Sequence, residues 1–135
     1  MSYRVFVSHG WADRWVASQI DRRLREAGAT TFIDVHDIEK GDDIEDRIFE
    51  DMRACQELLV LFTPWSVDRN WLWVEIGAAR SWNLRIVAVL YQTDMGTLDR
   101  DKGGTTFLRS RNLVDINDLD AYFEEVAKRV ERIAQ

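Results

Sequence analysis

Two segments, Glu57-Leu58-Leu59-Val60-Leu61-Phe62 and Arg85-Ile86-Val87-Ala88-Val89-Leu90, are nearly continuous apolar runs with no polar alternation. A strand with one wet face alternates apolar and polar residues. These two do not, so they predict central strands covered on both faces, as in a parallel sheet. Around them the chain alternates β-rich runs with amphipathic ones. Tyr3 to Val7 reads as a first strand stopped by Ser8-His9-Gly10, Thr30 to Ile33 as a second, and Asn112 to Ile116 as a short fifth. A helix from about Asp13 to Ala27 carries Val16, Ile20, Leu24 and Ala27 as one stripe, and Gly28 suits a left-handed stop. The second helix presents Ile44, Ile48, Met52 and Cys55, and the third runs from Asn70 to Trp82. The last helix has the stripe Leu119, Tyr122, Phe123, Val126, Val130 and Ile133, with Asp118 as its cap. Tyr91 to Ser110 reads as loop, with room for a short helix.

Strands and helices in this alternation build right-handed βαβ units. The expected architecture is a single α/β domain over residues 1–135: a flavodoxin-like three-layer sandwich, with a five-stranded parallel sheet of order 2-1-3-4-5 and helices on both faces. In such a sheet, ligands bind past the carboxyl ends of the strands where the order reverses. That crevice would lie between the first and third strands. One rim is Ser8-His9-Gly10-Trp11 and the other is Thr63-Pro64-Trp65-Ser66.

Composition removes several function classes. The net charge of −6, from 24 acidic and 18 basic residues, repels nucleic acid, and there is no basic stripe with interleaved aromatics to overrule it. No apolar run approaches the ~20 residues that span a bilayer, and the first residues do not read as a signal peptide, so a cytoplasmic protein without membrane partners is expected. The lone Cys55 cannot form an internal disulfide and reads as a buried, inert thiol. His9, His36 and Cys55 are too few and too scattered for a zinc site, so no metal is expected. Phosphate-loop, dinucleotide and nucleophile-elbow motifs are all missing. The first strand also ends without the acidic pair that a magnesium-dependent phosphoacceptor needs.

What remains is Asn70-Trp71-Leu72-Trp73-Val74-Glu75. Trp71 and Glu75 are four apart and share one face of the third helix. In a partly dry cleft such a carboxylate could accept hydrogen bonds from ribose hydroxyls and stabilise an oxocarbenium cation, as paired carboxylates do in glycosidases. Spacing alone favours the plainer reading, a surface glutamate near a helix start with Trp71 packing beside it. His9 is either a phosphate or ribose contact or a plain surface or capping residue. Trp11 and Trp65 either stack on a ligand ring or pack at the rim. The acidic run Asp42-Asp43-Glu45-Asp46 is either a solvated helix start or a self-association surface.

Four ordered segments resemble the Toll/interleukin-1 receptor (TIR) domain family. They are Tyr3 to His9; Gly28 through Phe32-Ile33-Asp34 to Gly41; Cys55 to Pro64; and Ser66 with the Trp71-x-x-x-Glu75 stretch. The resemblance spans nearly the whole chain and weakens after Tyr91. It implies the flavodoxin-like fold reached independently above, and it implies cleavage of NAD⁺ at the nicotinamide–ribose bond by a bacterial-type, stand-alone member. By that resemblance Glu75 is the catalytic residue, and Ser8, His9, Gly10, Trp11, Asp34 and Trp71 contact substrate. Asp37, Glu39 and Gly41 belong to a loop governing assembly. NAD⁺ is then substrate, with no separate cofactor. The implied partners are further copies of the domain and a separate sensor or effector protein, in an immune (antiviral defence) or signalling pathway. The rival readings are a non-enzymatic module that signals by homotypic assembly and a nucleoside-sugar transferase.

Overall fold

The computed structural model describes residues 2–33, 44–66, 70–94 and 113–134, with the side chains of residues 44–46, 70 and 71 outside that description. The strands are β1 (Arg4–Ser8), β2 (Thr30–Ile33), β3 (Glu57–Phe62), β4 (Arg85–Leu90) and β5 (Leu113–Asp115). The helices are α1 (Arg14–Glu26), α2 (Ile44–Arg53), α3 (Asn70–Ser81) and α4 (Leu119–Ala134). The sheet has the order β2-β1-β3-β4-β5, and every pairing is parallel. The flavodoxin-like topology expected from the sequence is the one observed.

The two apolar runs behave as their lack of alternation predicts. Every residue of β3 is buried. Leu58, Val60 and Phe62 point into one core layer with Phe6, Ala88 and the Ile48, Met52, Leu72, Ile76 and Ala79 side chains of α2 and α3. Leu59 and Leu61 point into the other with Val5, Val7, Val87, Val89 and residues of α1 and α4. Successive strand side chains face opposite ways, so a strand with both faces covered must be apolar at every position.

Helix ends follow local chemistry. Gly28 has φ +100°; its N–H bonds to the Arg25 carbonyl and that of Ala29 to the Leu24 carbonyl, a Schellman stop for α1. A Cβ there would sit 3.0 Å from Val130 Cγ1 on α4, so the position also needs glycine for close packing. Asn83, at φ +58°, ends α3 with the same pair of bonds, to the Arg80 and Ala79 carbonyls.

Asp13 stands at the start of α1, as expected, in its N-cap position, where it also closes a 3₁₀ turn (Trp11–Asp13); its buried side chain makes no cap bond and instead accepts from Thr63 in the loop after β3. Two local expectations are corrected. Cys55 lies past the end of α2, not on its stripe, since the chain must already turn there to enter β3. The entry to α4 is capped earlier than Asp118: Asp115 Oδ1 accepts from the Asn117 N–H (2.9 Å), opening a 3₁₀ turn over Ile116–Asp118. The inert reading of Cys55 stands. Its thiol is buried, donates to the Asp51 carbonyl at 3.3 Å, and is pushed up to about 12 by burial. The thiolate is the reactive form. Cys55 is therefore expected to resist Ellman's reagent at neutral pH and to react fully once urea unfolds the chain. Rapid labelling of the native protein would contradict this.

Glu57 stands out in the core. It opens β3 fully buried, accepting bonds from Tyr3 Oη (2.7 Å), Tyr122 Oη and Arg129 Nη1 (2.8 Å). Burial, and then the Glu57 carboxylate, raise both tyrosine hydroxyls well above their ordinary 10.0. The unfolded chain therefore releases these protons near pH 10 while the folded chain retains them. Their contribution is full below that pH and is lost as pH climbs further, by roughly 1.4 kcal/mol per pH unit for each group. Urea midpoints are expected to fall above about pH 10 and to fall less steeply in Tyr122→Phe; equal slopes would refute the assignment.

Candidate active site

β1 and β3 lie side by side, with Ser8 opposite Val60, and their carboxyl ends frame the point where strand order reverses. β1 ends on Ser8, and the chain leaving β3 turns through Thr63 to Ser66 before α3 begins. Glu75 is in the second turn of α3, on the face packed against the sheet. Its carboxylate is fully buried, and Ser8 Oγ donates to Oε1 at 3.2 Å. Residues 67 positions apart in sequence thus meet at the crevice that the sheet order predicts.

α3 inverts the usual polarity at this point. Val74 is 49% exposed while its neighbour Glu75 is 0% exposed. Burying a carboxylate and exposing a valine both oppose the hydrophobic effect, so this arrangement is not the one stability alone would select. A local rule broken in this way is the mark expected of a site built to do chemistry.

The loops on either side of Glu75 are locked together. Thr63 Oγ1 donates to Asp13 Oδ2 (2.7 Å), and Ser66 Oγ accepts from the Thr63 N–H (2.9 Å). Thr63 Oγ1 also accepts from the Trp65 N–H at 3.2 Å. Asp13, Thr63 and Ser66 are all buried, so these bonds hold in a low-dielectric setting where losing one partner is costly. Gly10 lies within this contact: a Cβ there would come within 3.1 Å of Ser66 Cβ. The geometry thus gives Gly10 a packing reason to be glycine.

His9 is buried, which corrects the surface reading; β1 runs straight into the packed loop and leaves no room for an outward turn. Its Nδ1 lies 2.8 Å from the Gly10 carbonyl oxygen. A carbonyl only accepts, so Nδ1 carries the hydrogen in that bond. Trp11 (47% exposed) and Trp65 (56%) lie on the segments that follow β1 and β3 and are not part of the core. Arg14 stacks over the Trp11 ring, with its guanidinium carbon 4.0 Å from the centroid, and donates to the Trp11 carbonyl. Trp73 of α3 and Trp82 just after it pack against the core.

The structure therefore joins Ser8 to Glu75 at the carboxyl ends of the strands, with His9, Gly10 and Trp11 following Ser8 directly in the chain that leaves β1. Trp71 has its backbone in α3, but its side chain lies outside the described residues, as do Asp34, Asp37, Glu39 and Gly41. Sequence reasoning missed the bond from Thr63 to Asp13 and the stacking of Arg14 on Trp11. An aspartate at a helix start is ordinarily a dipole residue, and nothing local distinguishes one that bonds across 50 positions. Among the described residues no cluster of His, Cys, Asp or Glu could hold a metal ion, and no helix is long and apolar enough to cross a membrane.

Comparison with known proteins agrees with this architecture. BdTIR of Brachypodium distachyon, named as a probable 2′ cyclic ADP-D-ribose synthase, is 30% identical over 91 residues, which is 66% of this chain. The chain spans only 41% of that protein's length. The TIR domain of the Toll-related receptor TRR-2 from Hydra magnipapillata superposes with a TM-score of 0.69 at 20% identity, covering 93% of this chain and 98% of that one. The RPS4 and RRS1 TIR domain heterodimer gives 0.63 at 14% identity, covering 98% and 97%. These two likenesses are of fold. A family model described as the TIR domain matches residues 5–130, nearly the full length. With its strand order, its β1 and β3 loops and this match, the chain belongs to the TIR domain family.

Proposed function

We propose that this protein cleaves NAD⁺ at the nicotinamide–ribose bond, with Glu75 as the catalytic carboxylate. The observation that carries the reading is the buried Glu75 carboxylate, held by Ser8 at the strand-order reversal. The name of the Brachypodium relative supports the same broad chemistry.

Nicotinamide leaves NAD⁺ as a neutral base, taking both electrons of the C–N bond. The positive charge passes to the ribose as an oxocarbenium ion. A carboxylate fixed in a dry site opposes that charge far more strongly than one in water, and it needs no reorganisation when the bond breaks. Water then attacks the anomeric carbon and releases a proton, giving ADP-ribose; attack by a nucleophile within the same molecule gives a cyclic isomer instead. In this reading Ser8 orients Glu75, while His9, Gly10, Trp11, Asp34 and Trp71 shape the substrate pocket. NAD⁺ is the substrate and no cofactor is involved.

A role in assembly is favoured by a separate observation. Trp15 is 71% exposed and borders a groove of about 410 Å³ between α1 and α4, lined also by Ile20, Tyr91 and Phe123. An apolar groove beside an exposed indole suits association between domains. The RPS4 and RRS1 pair is a TIR heterodimer by its own description. The two readings are compatible, since assembly can complete a catalytic pocket.

The decisive experiment incubates purified protein with NAD⁺ and separates products by mass spectrometry, with sedimentation of the same sample. Nicotinamide in equal amount to ADP-ribose or its cyclic isomer is the expected result. An assembled sample that releases no nicotinamide would overturn the enzymatic reading and leave the interaction module.

A further inference from the structure

We propose a second binding site at the opposite end of the sheet, where the amino ends of β3 and β4 meet α4, for a compact polyanion of the phosphate or pyrophosphate class. The feature is a concavity of about 450 Å³ lined by Tyr3, Gln56, Asn83, Arg85, Arg129 and Arg132, among others. Its size falls within the roughly 300–1,000 Å³ range of small-molecule sites. It is separate from the Glu75 crevice, which lies at the carboxyl ends of the strands.

The lining is cationic and rich in donors, with no carboxylate among its described residues. Glu57 lies behind the wall, and its oxygens are engaged from inside by Tyr3, Tyr122 and Arg129. Arg85 Nε stands 4.0 Å from Glu57 Oε1, so two of the three arginines share one buried carboxylate. Glu125 reaches Arg129 Nη2 at 3.2 Å from its exposed position on α4. Among the described residues, three guanidinium groups thus face two carboxylates, and the excess charge there is positive.

Part of this wall is held in place before any ligand arrives. Arg129 is fixed by Glu57 and Glu125, which lowers the ordering cost of binding. Gln56 Oε1 accepts from the Arg4 N–H at 2.7 Å, which leaves the amide N–H₂ of Gln56 as its donor side. Asn83 adds a second amide at the left-handed end of α3. Guanidinium forks match tetrahedral oxyanions through paired N–H···O bonds, which favours phosphate over a simple halide. An isolated concavity on an acidic protein suits a small anion and not a nucleic acid strand.

The test is calorimetric titration of the full chain with sodium pyrophosphate, and with inorganic phosphate, at constant ionic strength. Arg85→Ala, Arg132→Ala and the double variant probe the site; Arg22→Ala, on the exposed face of α1, is the control. Arg129 is left intact because Glu57 depends on it. Saturable one-to-one binding is expected, pyrophosphate tighter than phosphate, weakened about tenfold by each single variant and unchanged by the control. An absence of saturable binding would overturn the proposal. So would an affinity unchanged in the double variant, because the anion would then sit elsewhere, the Glu75 crevice included. Equal weakening by Arg22→Ala would overturn it as well, as diffuse surface charge.

Discussion

Glu75→Gln is expected to lower nicotinamide release by at least ~100-fold while the protein stays folded, the loss commonly seen when one preorganised stabilising group is removed from a dry active site. Glutamine preserves the shape of the side chain and an oxygen to accept from Ser8 Oγ, so the packing of α3 against the sheet is retained. It removes the charge and turns one acceptor oxygen into an amide donor. The positive charge on ribose is greatest in the transition state, so the deficit should fall on kcat and leave KM little changed. The substitution also relieves the cost of burying a carboxylate, so Tm should hold or rise. Glu75→Ala is the weaker test, because it adds a cavity to the loss of charge. Initial rates of nicotinamide release, paired with thermal melts, separate these effects. Activity within about threefold of the parent would remove Glu75 from the catalytic role.

Arg129→Ala should be among the most damaging single changes to stability, at about 3–5 kcal/mol. The reason is what it leaves behind. Glu57 would keep its two tyrosine donors but lose its closest cation, at a position with no access to water. Arg85 would remain only at 4.0 Å, and a buried charge left so poorly compensated costs more than the intact pair contributes. For a domain of this size such a loss lowers Tm by roughly 10–20 °C, measurable by circular dichroism. Glu57→Gln combined with Arg129→Ala should lose less than the two single changes summed, because the double variant strands no charge. Strict additivity would show that the two residues are not coupled.

The two sites differ in how far the sequence foretold them. Glu75 was legible because its helical spacing from Trp71 could be joined to a predicted strand order, and strand order places a crevice. Ser8, His9, Gly10 and Trp11 followed because β1 must end at that crevice. The Glu57 cluster was not read, although its trace was visible: one carboxylate opens an otherwise apolar run that must be covered on both faces. A buried strand leaves such a group no solvent, so it requires partners. Those partners are Tyr3, Tyr122 and Arg129, and the last two lie 65 and 72 positions away, so no local pattern links them. Cys55 shows the limit at smaller scale: its burial was foreseen, while its place beyond α2 depended on where the chain turns into β3.

Residue order by itself determined the parallel sheet, its helices on both faces and the left-handed stop at Gly28. These follow from short-range sterics and from the period of apolar residues, which act within a few positions along the chain. Tertiary structure alone decided that Glu75 would be buried beside an exposed Val74, that the Asp13 side chain would bond Thr63 and make no cap bond, and that arginines would gather around Glu57. These depend on which distant groups share one low-dielectric space, and there a hydrogen bond or a stranded charge outweighs any local preference.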